Sequence, residues 1–341
     1  MGQTMRQQDF DPVFDIRDLS VRFPVRGGLF GRGGKAVHAI ENFSLAIRRG
    51  ETLGVVGESG CGKSTLARTI MGLVTASAGE IRFRSKEGPF AADGIDLAQA
   101  SAADWKKVRR KVQIIFQDPY SSLSPKQSVG KIIGEPLIVH GIPDWRRRVG
   151  ELLELVGLSA RDFDRYPHEF SGGQRQRIMI ARAIALDPEV LIADEAVSAL
   201  DVSIRLQIIN LLNRLKRELG LTLIFISHDL GIVRMVSDRI AIMYLGRLAE
   251  IGQNEEIFAA SRHPYTRMLI RSTPIPDPDR RVAHTDTFGE LPSPIDPPSG
   301  CVFHPRCPLA DATCSAEEPR AVALSASHGS LCHHAEALAE R

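Results

Sequence analysis

Gly57-Glu58-Ser59-Gly60-Cys61-Gly62-Lys63-Ser64-Thr65 decides how this chain is read. The run satisfies G-x-x-x-x-G-K-[ST], follows an apolar strand ending at Val55-Val56, and opens a helically spaced segment over Ser64–Leu73. Glycines let backbone N–H groups turn inward around a phosphate chain. The helix that follows adds its positive N-terminal end. Lys63 supplies a compact charge to the outer phosphates of a nucleotide, and Ser64 a hydroxyl to Mg²⁺. A Gly-rich turn that matches by chance is the bland alternative, and the strand–loop–helix context counts against it. Cys61 reads as a small filler.

Outward from this loop, strands and helices alternate. Val112–Gln117, Val190–Ala193, Leu221–Ser227 and Arg239–Leu245 read as strands. Ser128–His140, Asp144–Val156, Gln174–Leu186 and Ser203–Leu219 read as helices, the last with Ile204, Ile208, Leu211, Leu212 and Leu215 on one face. Apolar strands without alternation belong to a parallel sheet covered on both faces, so the fold class is α/β. Upstream, residues 12–25 read as an early strand and Gly27–Lys35 as a Gly- and Arg-rich loop. Phe43–Ile47 and Glu51–Val56 read as two strands joined by a hairpin-like Arg48-Arg49-Gly50 turn.

Two further signals carry chemistry. Val190-Leu191-Ile192-Ala193 ends in Asp194-Glu195, and adjacent carboxylates on a buried strand are costly unless something pairs with them. Mg²⁺ suits Asp194, which leaves Glu195 to orient or deprotonate water. Solvated acids at a strand end are the plain alternative. Phe170-Ser171-Gly172-Gly173-Gln174 then opens an Arg-rich helix with an N-cap hydroxyl, free N–H groups and a helix dipole. Alone it is a helix cap. Beside a phosphate loop it is a second anion cradle, which makes sense if it serves a nucleotide held by another subunit.

The order of these motifs, with Ile115-Phe116-Gln117-Asp118, Ser198-Ala199-Leu200-Asp201 and His228, resembles an ABC transporter ATP-binding subunit. His263-Pro264-Tyr265-Thr266, Glu290-Leu291-Pro292-Ser293-Pro294 and Pro297-Pro298-Ser299-Gly300-Cys301 are similar to the oligopeptide/dipeptide (peptide/nickel) importer group. The resemblance spans roughly residues 13–335. It implies a P-loop NTPase core over 12–260 with a helical subdomain at about 118–186, and a C-terminal extension over 261–341. It implies that Gln117 senses Mg²⁺ and the attacking water, joining Ser64 and Asp194 at the metal. Ser171 and Gly173, with Gly172 and Gln174, hold the γ-phosphate bound to the opposite subunit. Asp201 sits at the dimer seam, His228 contacts the γ-phosphate, and Phe23 is the best match for an aromatic stacked on adenine.

As partners, the resemblance implies a second, different ATP-binding subunit, two membrane permeases and an extracytoplasmic substrate-binding protein, at the cytoplasmic face of the membrane. Peptides are the default cargo, with nickel, glutathione or opines as other members' cargo. The sequence departs from the pattern at Phe170, where Leu is usual, and at Ala196, where Pro usually follows the glutamate. Ala196 removes a φ restraint from the loop carrying Glu195.

Composition changes beyond residue 260: 11 of the 20 prolines fall between Ser261 and Arg341, which excludes long helices and central strands there. This segment reads as a separate, loop-rich tail with a core small enough to need cross-links or a metal. Of five cysteines, Cys301, Cys307, Cys314 and Cys332 lie here without a Cys-x-x-Cys knuckle, so a zinc ribbon is a poor match. An iron–sulfur cluster fits four thiolates, with zinc or free thiols as the other readings. The resemblance favours a 4Fe-4S site, and His304, His333 and His334 lie near enough in sequence to substitute as ligands.

Other classes lack support. Lys plus Arg (43) balances Asp plus Glu (41), which gives no charge-based case for nucleic acid. Lys106–Lys111 and Arg146–Arg148 read as solvated helix faces. No run approaches the ~18–20 apolar residues that span a bilayer. The polar start MGQTMRQQDFDP has no secretory h-region, so a cytosolic chain is expected. A soluble ABC ATPase acting on nucleic acid or ribosomes would carry two ATP modules or a long coiled coil. This chain has one phosphate loop and no heptad run.

Overall fold

The computed structural model describes residues 11–25, 35–118, 122–272 and 289–339. Most of the Gly27–Lys35 loop lies outside them. In chain order the strands are β1 (Pro12–Pro24), β2 (Ala36–Arg48), β3 (Thr52–Val56), β4 (Ala78–Phe83), β5 (Ile95–Asp96), β6 (Val112–Ile115), β7 (Val190–Asp194), β8 (Thr222–Ser227), β9 (Arg239–Tyr244), β10 (Arg247–Gln253), β11 (Val322–Ala323) and β12 (Gly329–Ser330). They form two sheets, an antiparallel one ordered β2-β1-β4-β5 and a larger one ordered β11-β12-β10-β9-β3-β8-β7-β6.

The parallel centre of the large sheet is β9-β3-β8-β7-β6. All residues of β3, β7, β8 and β9 are buried, as their unbroken apolar runs require of strands covered on both faces. The helix Val202–Leu219 covers one face with Ile208, Leu211, Leu212 and Leu215, and Gly220 at φ 64° ends it in a left-handed cap. The helical subdomain is built from Val129–Val139, Trp145–Leu155 and Gly172–Ile184, which share a core through Ile133, Leu137, Val149, Leu152 and Ile180.

The hairpin expected between β2 and β3 does not form. β2 pairs with β1 in the antiparallel sheet, whereas β3 enters the centre of the large sheet between β8 and β9. The Arg48-Arg49-Gly50 turn carries the chain from one sheet to the other, with Gly50 at φ 75°. Local turn composition fixes the change of direction, and burial chooses the sheet. β2 is only partly buried, while β3 is buried throughout.

The C-terminal segment also differs from the separate tail expected. It has short elements, and its longest described helix, Pro264–Ser272, starts at a proline. Yet β12 extends the large sheet beside β10, and Cys301, Val302, Phe303 and Cys314 enter the same core as β7 and β8. A segment too small to bury its own apolar residues borrows a neighbour's core. The fully buried Glu250 carboxylate of β10 fixes the join, accepting from His263 N–H at 3.2 Å and pairing with His328 Nε2 at 2.8 Å.

At the starts of β3 and β9, the end of the strands away from the 57–65 loop, Arg239 and Glu51 form a buried pair, with Nη1 at 3.0 and 3.3 Å from the two carboxylate oxygens. Burial pushes the Glu51 pKa up and the Arg239 pKa down, each against the pull of the partner. Desolvation therefore outweighs the attraction, and breaking one side strands a buried charge. Arg239→Ala is expected to lower stability by about 3–5 kcal/mol in urea unfolding, whereas the paired replacement Arg239→Met with Glu51→Leu loses far less.

Candidate functional site

Strand register assembles the site. Val56 of β3 stands opposite Ser227 of β8, and Asp194 of β7 opposite Ile226. Gly57, Glu195 and His228 are therefore the first residues beyond three neighbouring parallel strand ends. Chain segments far apart in sequence meet there without further folding.

In the 57–65 loop, Gly57 and Gly62 admit no side chain. A Cβ at Gly57 would lie 2.2 Å from the Met243 carbonyl oxygen, and one at Gly62 2.3 Å from that of Ala39; Gly62 also has φ 102°. The Lys63–Ile70 helix starts directly after Gly62 and points its N-terminus into the loop. Lys63 Nζ donates to the carbonyls of Gly57 at 2.7 Å and Glu58 at 2.9 Å. Cys61 is fully buried, its thiol pKa raised by burial.

Ser64 Oγ donates to Asp194 Oδ1 at 2.9 Å, which joins the loop to the end of β7. Burial raises the Asp194 pKa, with Ser64 opposing and Glu195 adding to the effect. A buried carboxylate beside a hydroxyl is the hard oxygen pair that suits Mg²⁺. Next to it, Glu195 is held by two side chains: Gln117 Nε2 donates to Oε2 at 2.7 Å, and His228 Nδ1 lies 3.3 Å from Oε1. Glu195 has φ 49°, a left-handed conformation that costs a non-glycine residue roughly 1–2 kcal/mol. That turn aims the carboxylate back toward Gln117 and His228.

Ser171 caps the Gly172–Ile184 helix by a reciprocal box: Gln174 N–H donates to its Oγ at 3.4 Å and Ser171 N–H to Gln174 Oε1 at 3.0 Å. Gly173 packs on the Val202–Leu219 helix, where a Cβ would come 2.5 Å from Ile204 Cγ2. Asp201 is the exposed N-cap of that second helix. Among the described residues no hydrogen bond or ion pair joins Ser171–Gln174 or Asp201 to residues 57–65. Phe23, on β1, is 40% exposed and stands opposite Val37 of β2.

No disulfide joins the four C-terminal cysteines, which are all buried except the half-buried Cys307. They lie close enough to repel one another when charged. Burial first, and then these neighbours, lifts Cys307 to about 11 and Cys332 to about 12, and raises Cys301 as well. Burial also raises Cys314. One oxygen of Asp311, Cys314 Sγ and a His334 nitrogen fall within 4.8 Å of one another. Among the described residues this mixed set is the one group of three ligand atoms so close together, and of the four thiols it includes only Cys314. Four thiols in one short segment are nonetheless a donor set that a multi-thiolate centre could use once deprotonated.

Sequence reasoning passed over the residues that hold the loop from the C-terminal side. Arg306 donates from Nη1 and Nη2 to the two Glu58 carboxylate oxygens at 2.9 and 3.0 Å, and the Tyr265 hydroxyl accepts from Glu58 N–H at 3.0 Å. Arg306 lies within the Cys301–Cys307 stretch, where the thiols carry the sequence signal, and Tyr265 lies in the His263-Pro264-Tyr265-Thr266 motif, whose pattern says nothing of a contact with residue 58.

Known proteins match along most of the chain. Oligopeptide transport ATP-binding protein OppF of Salmonella typhimurium is 48% identical over 315 residues, covering 90% of this chain and 92% of that protein. The chain is an ABC transporter ATP-binding subunit. It hydrolyses ATP. AppF of Bacillus subtilis, also named for oligopeptide transport, is 46% identical over 329 residues, covering 95% and 97%. The ABC transporter family pattern matches residues 40–198, and the oligopeptide/dipeptide transporter C-terminal region matches residues 249–314. Among solved structures, cbiO1 of Clostridium perfringens, part of the transporter complex cbiONQ, aligns at TM-score 0.60 and 30% identity over 73% of this chain and 91% of its own. The cassette MJ0796, solved as a dimer bound to ADP and Pi, aligns at TM-score 0.59 and 28% identity over 71% and 98%. Among the described residues no helix is long and apolar enough to cross a membrane.

Proposed function

We propose that ATP hydrolysis by this subunit energises the uptake of oligopeptides through membrane permease partners. The observation that carries the cargo class is the near full-length likeness to subunits named for oligopeptide transport, together with the matched C-terminal region. The assembly we infer is a heterodimer of ATP-binding subunits at the cytoplasmic face of the membrane, with two permeases and an extracytoplasmic binding protein. We take 12–260 as the ATP-binding domain, about 118–186 as its helical part and 261–341 as the extension.

Each residue then has a task. Gly57–Thr65 wraps the phosphates, with Lys63 on the β- and γ-phosphates. Ser64, Asp194 and Gln117 would hold Mg²⁺, which when bound neutralises phosphate charge. Glu195 takes a proton from the attacking water while Gln117 and His228 keep its carboxylate aimed, and His228 reaches the γ-phosphate. Phe23 stacks on adenine. The Ser171–Gln174 cradle, exposed at Ser171 and Gln174, and the exposed Asp201 face a partner subunit's nucleotide. The reaction rests on positioning and charge neutralisation.

Cys301, Cys307, Cys314 and Cys332 would hold a 4Fe-4S cluster, which supplies a cross-link of the Pro-rich segment through four thiolates.

Glu195→Gln is expected to keep MgATP binding and lose roughly 10²–10⁴ in turnover of the assembled transporter, measured by phosphate release. In reconstituted vesicles, labelled oligopeptides should accumulate on addition of ATP, and excess nickel, glutathione or an opine should not compete. Competition by one of these would reassign the cargo. Chain purified without oxygen should carry iron and acid-labile sulfide at about four each per chain, lost together when the four cysteines become serine. Stoichiometric zinc instead would overturn the cluster.

A further inference from the structure

Glu58 places a carboxylate inside a loop whose task is to bind a polyanion. Left unpaired, that charge repels the phosphates the loop must hold. The structure pairs it from outside the loop. Arg306 grips it with two parallel N–H···O bonds at 2.9 and 3.0 Å, and with the Arg306 side chain 9% and the Glu58 side chain 26% exposed, solvent screens the pair only in part. The same residue is held at two more atoms: its N–H by the Tyr265 hydroxyl at 3.0 Å and its carbonyl by Lys63 at 2.9 Å.

Behind this contact stands a ring cluster. Tyr244 and Tyr265 lie 4.7 Å apart between centroids, and Phe303 lies 5.2 Å from Tyr244 and 5.4 Å from Tyr265. All three rings are buried, and the Arg306 guanidinium sits 5.7 Å from the Tyr244 ring. Arg306 itself ends a single 3₁₀ turn, His304–Arg306, set between Cys301 and Cys307. The guanidinium is therefore presented by a short, anchored segment and has little freedom to leave the carboxylate.

We propose that Arg306, seconded by Tyr265, is a positioning residue for nucleotide binding: it neutralises Glu58 and holds the phosphate loop open for ATP, so that the C-terminal segment sets the subunit's nucleotide affinity. This rests on the reading of residues 57–65 as the phosphate loop. Arg306 acts through Glu58 and touches no nucleotide. Its removal therefore hurts binding only while the Glu58 charge remains. A lysine there keeps the charge but loses the fork, so it restores part of the function.

The test is a double-mutant cycle on the full-length chain, reading the Kd for MgATP by fluorescence titration and folding by thermal unfolding. Arg306→Ala should weaken MgATP binding about tenfold, the scale of a lost charge-assisted bond. Arg306→Lys should recover part of this, and the kcat of the assembled transporter at saturating ATP should change little. Glu58→Ala alone should cost well under tenfold, adding Arg306→Ala to it should shift Kd by no more than about twofold, and the double variant should bind MgATP more tightly than Arg306→Ala does. Equal losses from Arg306→Ala with and without Glu58, or no loss at all, would overturn the proposal. Should Arg306→Ala not fold, Arg306→Gln carries the same comparison. Lys63→Ala is the control for the underlying reading: unchanged affinity there removes the phosphate loop itself, whereas a loss there with an indifferent Arg306 removes only the brace.

Discussion

The parallel pairing of β3 with β8, and of β8 with β7, is the constraint on which the rest depends. Parallel strands in register end at one edge, and their ends expose N–H and C=O groups that no further ladder satisfies. Whatever follows those ends must be polar or glycine-rich and must meet its neighbours. The loop at 57–65, the carboxylates at 194–195 and His228 are the residues that follow. A one-residue slip of β7 against β8 would move Asp194 away from Ser64 and turn each β7 side chain to the other face. The apolar faces of β3, β7 and β8 therefore hold the chemistry in place, although none of their buried residues short of Asp194 takes part in it.

Much of this is legible in the sequence. The unbroken apolar runs announced a covered parallel sheet, and the motif glycines announced a loop that turns its backbone N–H groups inward. The amphipathic Ser203–Leu219 pattern became the Val202–Leu219 helix. What failed did so for a physical reason. Arg48-Arg49-Gly50 is good turn chemistry, but a turn specifies a reversal and not the sheet that each flank joins. The burial of all five β3 residues decided that, and burial depends on strands distant in sequence. The C-terminal segment failed likewise: its prolines forecast short elements correctly, while its attachment through Glu250, His328 and the β10–β12 pairing is non-local. The Gln117–Glu195–His228 arrangement was legible as three separate motif positions. That two of them hold the third by hydrogen bonds, with Glu195 at positive φ, was not.

The site also shows how buried charge is managed in a fold that needs it. Glu51, Asp194 and Glu250 are all carboxylates in or beside the large sheet, and each has a different partner: a guanidinium, a hydroxyl and a histidine with backbone N–H groups. Glu51 and Glu250 are matched within the protein and serve as joints between elements. Asp194 has a neutral hydroxyl as its hydrogen-bond partner and Glu195 beside it, with Arg68 and Lys63 opposing its burial only in part, so it has room for a further cation. The weaker partner set is what distinguishes the carboxylate proposed for Mg²⁺ from the other two.

The same logic bears on why the C-terminal segment packs where it does. A loop-rich segment could cover many faces of an α/β core. This one lies over β9 and β10, and its Tyr265 and Phe303 rings and its His304–Arg306 3₁₀ turn come to rest beside residue 58 of the 57–65 loop. A purely structural cap would be served by apolar contact alone, and a buried guanidinium adds a desolvation cost to such a cap. The cost is offset here by a carboxylate that would otherwise oppose the nucleotide. The pairing is thus best understood from the loop outward: a charge that the loop carries at position 58 is made tolerable by a charge supplied from residue 306.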